Sequence, residues 1–262
     1  MSLPQAIAYT EKTVLAPLIG PKCAHELISL NFSHTACIKL LVSKLLGIGI
    51  ILGGTILKVP QILKIVASGS TTGISFASYL LETAAYTISL AYNARSGNPF
   101  STYGEMAFIT VQNVVILLLI LAYGKNILGL FSFLVVFAAT SIALFDPTLV
   151  SADLLTTLQW STVLIGVASK LPQIWNNLRA KSTGQLSAIT VFLQGAGSAA
   201  RVFTTIQEVD DPVLLTSALV ATGLNAVIAL QMVLYWNNRT VAGAQYAKPR
   251  SPAQKRKTPK AM

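Results

Sequence analysis

The amino-acid sequence predicts an all-α membrane protein: seven transmembrane helices arranged as two parallel triple-helix bundles joined by a linker helix. Three observations lead there. Hydrophobic residues fill 53% of the 262 positions, charged ones only 11%, and mean hydropathy is +0.63, outside the usual range of a water-soluble domain. Seven apolar stretches are long enough to cross about 30 Å of hydrocarbon, which takes roughly 20 helical residues. Finally, "KVPQIL" at 58–63 returns as "KLPQIW" at 170–175, each at the end of an apolar run and before a Ser/Thr/Gly stretch.

The predicted spans are 39–63, 74–94, 105–123, 127–145, 154–177, 186–206 and 213–236, with short connections between them. The segments after spans one, three, five and seven carry Lys64, Lys125, Arg179, Lys181, Arg239 and a basic tail over 239–262, with no acidic residue. Those after spans two, four and six carry Arg95, Asp146, Asp153, Asp210 and Asp211, a mainly acidic set. The positive-inside rule therefore puts the C-terminus in the cytosol and the N-terminal segment 1–37 on the lumenal or extracellular side. The net charge of +10 follows this topology and comes with no nucleic-acid motif.

The N-terminal segment lacks a basic stretch leading into a continuous apolar core, so no cleavable signal peptide is expected and insertion relies on the first span. Cys23 and Cys37 both precede that span. A disulfide in an oxidising compartment and two unpaired thiols are both open readings. "NFS" at Asn31 is a lumenal sequon close to the membrane, and "NRT" at Asn238 would face the cytosol and stay unmodified.

The two Lys-x-Pro-Gln motifs lie 112 residues apart, from 58 to 170, and the same offset aligns further polar positions without a gap. Ser70-Thr71 falls on Ser182-Thr183, Ser75 on Ser187, Asn113 on Asn225 and Tyr123 on Tyr235. The chain thus divides into a bundle at 38–125, a linker helix at 126–146, and a second bundle at 153–238. Four crossings separate equivalent helices, so the repeats start from the same side and are parallel, and repeats of this kind bind substrate between them. Pro60 and Pro172 each remove a backbone donor and free a carbonyl, which permits a kink. Gln61 and Gln173 beside them can satisfy that carbonyl or a ligand. One Pro-Gln pair alone would only end a helix; two in register, each behind a lysine, suggest a paired hinge.

These motifs, each followed by a Ser/Thr/Gly loop and "GIS" or "QLS", resemble the PQ-loop repeat proteins, which look like two triple-helix bundles joined by an inversion-linker helix. That group includes sugar transporters, lysosomal amino-acid transporters and lumenal retrieval receptors. "STTGISFASYLLET", "NPFSTYGE", "STGQLSAITVFLQGAGSAARVFTTIQEVDDP" and "ALQMVLYWN" are more specifically similar to one branch of the family, over about 37–236. The resemblance implies an endoplasmic reticulum protein needed for lumenal glycosyltransferases to use dolichol-phosphate-mannose and dolichol-phosphate-glucose in N-glycan, GPI-anchor and protein mannosylation. It implies partners in those lipid-linked sugars, in membrane lipid and in the transferases. It leaves three mechanisms open: translocation of the lipid-linked sugar, presentation of it by a non-transporting adaptor, and transport of a small solute.

Ionisable groups within spans are costly and tend to face a cavity or one another. Glu82 shares a helical face with Ser78, Tyr86 and Ser89, and its repeat equivalent is Gln194, on a face with Ser198, Arg201 and Thr205. Arg201 suits a phosphodiester through bidentate donation, and Glu82, Gln194, Asn113 and Asn225 suit sugar hydroxyls. Equally, the asparagines suit interhelical hydrogen bonds, and Glu82 suits an ion pair with Lys58, Lys170 or Arg201. Lys39 and Lys44 are expected at a lipid interface. "GIGIILGG" at 47–54 reads as close helix packing. No catalytic constellation, cofactor motif or metal-ligand spacing is present, so neither an enzyme nor a metal protein is expected.

Overall fold

The structure, a computed structural model, describes residues 5, 9, 11–29, 34–183 and 186–236. Both sequons' asparagines and the basic tail lie outside the described residues. Every regular element among them is helical. After short turns over Glu11–Leu15 and Ala16–Ile19 come α1 (Pro21–Ile28), α2 (Thr35–Ile56), α3 (Val59–Ser68), α4 (Phe76–Arg95), α5 (Gly104–Tyr123), α6 (Ile127–Phe145), α7 (Ala152–Ala180), α8 (Ala188–Glu208) and α9 (Pro212–Leu234). The longer ones occupy the seven predicted intervals, with α2 and α3 together filling the first.

The helices begin where the sequence supplies side-chain caps. Ser75, Asn126, Ser151, Ser187 and Asp211 each accept a backbone N–H from the first turn of α4, α6, α7, α8 and α9. Ser75 and Ser187 are repeat equivalents, and so are the left-handed residues that close α3 and α7, Gly69 at φ 60° and Lys181 at φ 47°. In the loop before α7, Thr148 donates to Asp146 Oδ1 from its hydroxyl (2.7 Å) and its backbone N–H (2.8 Å), which holds that carboxyl below its ordinary range.

Four helical segments, 35–68, α5, α6 and α9, are long and apolar enough to cross a membrane, so the chain is a multi-pass all-α membrane protein. On α6, Leu128, Phe131, Val135 and Ile142 all stand exposed along one face, an apolar surface that a bilayer covers. The long helices α4, α7 and α8 fall short in apolarity because they carry Glu82, Gln159, Lys170, Arg201 and Glu208.

Packing follows the repeat. In the first bundle α5 lies against both α2 and α4; in the second, α9 lies against both α7 and α8. Between bundles, α2 packs on α8 and α4 on α7, and these two seams exchange under the repeat relation. That exchange is what two parallel copies about an axis along the membrane normal require. The linker α6 packs on α4 and α5. Gly47 and Gly54 allow α2 its approach to the 100–105 region, since a Cβ would meet Ser101 O at 2.6 Å and Glu105 Cβ at 2.7 Å. Gly49 and Gly53 face open space, so half of the glycine run serves packing. Cys23 and Cys37 are joined as a disulfide that ties α1 to the head of α2.

Candidate functional site between the repeats

The two proline motifs fold differently. In the first repeat the helix stops at Ile56 and restarts at Val59, with Pro60 in the first turn of α3. Gln112 on α5 clamps the break: its Nε2 donates to Gly54 O at 2.8 Å and its Oε1 accepts the Lys58 N–H at 2.8 Å. In the second repeat α7 runs unbroken through Pro172, and the position equivalent to Gln112 is Leu224. Here the amide of Gln231 bridges two turns later, donating to Ile174 O and accepting from Asn177. The predicted span at 39–63, with its expected kink at Pro60, is thus two helices, and an amide partner is present to satisfy the interrupted backbone.

The lysines before these motifs make equivalent contacts of unequal charge. Lys58 Nζ lies 3.0 Å from both carboxylate oxygens of Glu82 and 5.1 Å above the Tyr79 ring. Lys170 Nζ lies 3.4 Å from the amide oxygen of Gln194. The repeat therefore preserves the pairing and removes the counter-charge.

Between the bundles, α4, α5, α7 and α9 enclose a cavity of about 370 Å³ whose lining includes Tyr86, Ser89, Gln159, Lys170, Ser217 and Asn225, a volume within the common range of about 300–1,000 Å³ for ligand pockets. A second cavity of about 180 Å³ shares Met106, Gln159, Ser217 and Ala221 with it and extends to Arg201 and Thr102. Among the described residues no carboxylate lines either one. Across the α4–α7 seam, Leu80, Thr87, Phe133, Phe137 and Leu158 help line an almost wholly apolar groove of about 450 Å³.

Of the predicted site residues, Lys170 and Asn225 line the larger cavity and Arg201 the smaller. Asn225 donates to Ser198 Oγ at 3.2 Å and to Gln194 O at 3.5 Å. Asn113 is fully buried within the first bundle, with neither amide atom hydrogen-bonded. Gln61 lines a separate polar hollow with Lys64, Ser70 and Thr72, and Gln173 is half-buried on α7. Arg201 pairs with Glu105 and donates to Thr102 O at 2.5 Å, while Glu82 pairs with Lys58. Of the three cations expected for Glu82, Lys58 is the one that reaches it.

Lys44 differs from expectation more sharply. It turns inward, 2.5 Å from Glu208 and 2.9 Å from Ser101, while Ser43 and Ser101 also donate to Glu208. A lipid-facing lysine would have been free to reach the interface; here a buried carboxylate on α8 holds it. Glu105, Glu208 and Gln159 were not singled out in the sequence. The first two sit at span ends, and Gln159 is visible only as one member of a polar stripe with Thr162, Ser169 and Lys170 on α7.

The PQ loop repeat matches this chain twice, at residues 42–102 and 154–214. The chain carries two copies of the PQ-loop repeat. The two matches each cover the first two predicted spans of a bundle, in the same register as the offset of the proline motifs. The chain is also 28% identical over 179 residues to "Solute carrier family 66 member 3" of Homo sapiens, covering 68% of this chain and 87% of that protein.

Proposed function

We propose that this protein, with its two PQ-loop repeats, is a membrane transporter, not an enzyme, and that it passes dolichol-phosphate-linked mannose and glucose between leaflets of the endoplasmic reticulum membrane for lumenal glycosyltransferases. Seven helices cross the bilayer, with the Lys64 and Lys181 ends cytosolic. The observation that carries the reading is the pair of adjoining cavities between the bundles, running from Lys170 towards Arg201, whose largely apolar walls carry a few polar side chains and, among the described residues, no carboxylate. A phosphodiester inside a membrane needs a cation, and Lys170 offers one whose neighbour is a neutral amide. Sugar hydroxyls find Ser89, Ser217 and Asn225 along the same walls.

The apolar groove lies on the other side of the α4–α7 seam from this polar cavity. A lipid-linked sugar requires that juxtaposition: a headgroup path inside, a chain path outside, and a seam that parts between them. The stretches at 70–83 and 182–212 are similar to the mannose-P-dolichol utilization defect 1 protein, which supports the lipid-linked donor as substrate. A second reading, transport of a small water-soluble solute, draws on the likeness to the human solute carrier.

Reconstitution into proteoliposomes tests both. Protein-dependent leaflet exchange of a radiolabelled dolichol-phosphate-mannose is expected. Uptake of free hexose without lipid exchange supports the small-solute reading, and donor binding without exchange supports an adaptor that presents the lipid.

A further inference from the structure

We infer that Gln159, at the neck joining the two cavities, is a specificity-determining residue that hydrogen-bonds the hydroxyl-bearing part of the ligand; this rests on the reading of the cavities as the ligand path. Gln159 is only 3% exposed, its side-chain oxygen has no hydrogen-bond partner, and it lines both cavities. The other buried glutamines behave differently, and the buried, unpartnered amide of Asn113 lines neither cavity. Gln112 and Gln231 each bond backbone carbonyls and a further group, which is how a structural amide is satisfied.

The repeat sharpens the contrast. The position equivalent to Gln159 is Gly47, where the space for a side chain is taken by the Ser101 carbonyl. The framework of a bundle therefore does not need an amide here, and the second repeat has one pointing into the path. An unpartnered buried amide calls for a ligand group that can donate to its oxygen, and a hydroxyl does so while also accepting from the amide nitrogen. Because no carboxylate among the described residues lines the walls, a cationic ligand has no counter-charge, whereas a hydroxylated ligand carrying an anion can set its hydroxyls at Gln159 and its charge towards Lys170.

The two native cysteines are joined to each other, so Ser217→Cys, which lines the same neck, places a single free thiol beside Gln159 in the full chain. The measurement is its rate of alkylation by a small water-soluble maleimide, with mannose 1-phosphate, mannose or inorganic phosphate as protecting probe. Mannose 1-phosphate is expected to slow labelling, and adding Gln159→Leu is expected to raise its half-protecting concentration at least tenfold. Protection by inorganic phosphate is expected to stay unchanged on the same substitution.

Removing an unsatisfied amide should leave the melting temperature equal or higher, which separates a ligand-contacting role from a structural one. Equal protection with and without Gln159 overturns the inference while leaving the ligand path in place. A fall in melting temperature that accompanies lost protection overturns it in favour of a structural amide. A thiol at 217 that does not label overturns the path itself, and the inference with it.

Discussion

The two repeats put a lysine at the same register position, before the same Pro-Gln pair, and surround it differently. Lys58 is closed off by the Glu82 carboxylate, and the backbone break beside it is clamped by Gln112. Among the described residues, Lys170 meets only the amide of Gln194, at 3.4 Å, on an unbroken helix whose wall faces the cavity. The first repeat neutralises its motif lysine from within its own bundle, and the second leaves a cation, an amide at Gln159 and an asparagine at 225 directed between the bundles. Charge that is compensated in the fold should matter for stability, and charge that is left open should matter for function.

The strongest way to break that division is to open a compensated charge. Glu208 has 1% of its side chain exposed and pairs with Lys44 across the α2–α8 seam. Glu208→Ala should cost on the order of 3–5 kcal/mol, because it strands a buried ammonium. The double change of Lys44→Met with Glu208→Leu should recover most of that, as read by thermal unfolding in detergent. A single substitution that melts like the parent would show that the seam does not depend on its ion pair.

A smaller effect is expected at the clamp. Gln112→Leu orphans the Gly54 carbonyl and the Lys58 N–H, at about 1–3 kcal/mol for each group that finds no other partner. The second repeat carries Leu224 at that place without a helix break. If Gln112→Leu is neutral, the break at 57–58 is made by Pro60 alone, and the contrast between the two motifs loses its cause. Deleting the charges at the two lysines should separate them further, with stability changes within about 1 kcal/mol for these part-exposed groups. Lys58→Gln should keep lipid exchange per folded molecule, and Lys170→Gln should lose it at least tenfold.

Much of the architecture was legible in the sequence because it rests on local signals. Ser75 and Ser187 cap equivalent helices, and positions 69 and 181 close equivalent ones, so the offset of the proline motifs carried the bundles and their parallel relation. The site was legible only in part. Lys170, Arg201 and Asn225 do reach the cavities, but which cation is compensated depends on partners far away in the chain: Glu105 for Arg201 and Glu208 for Lys44. Hydropathy places those carboxylates at span ends, where nothing local reveals that they fold back into the seam. Gln112 was readable as a polar residue inside a span, yet its role as a clamp on Gly54 and Lys58 is a property of the packed bundle.

The most direct test installs the first repeat's chemistry in the second. Gln194→Glu gives Lys170 the carboxylate that Lys58 already has, at the same register position and on a helix of the same bundle. The new pair should leave the folded protein intact, since opposite charges replace a charge and an amide at an already exposed position. The measurement is leaflet exchange of radiolabelled dolichol-phosphate-mannose by the purified variant in proteoliposomes, normalised to correctly folded protein. At least a tenfold loss of exchange is predicted, because Lys170 is then neutralised from within. Exchange at the parental rate would contradict the claim that the open charge of the second repeat carries the function.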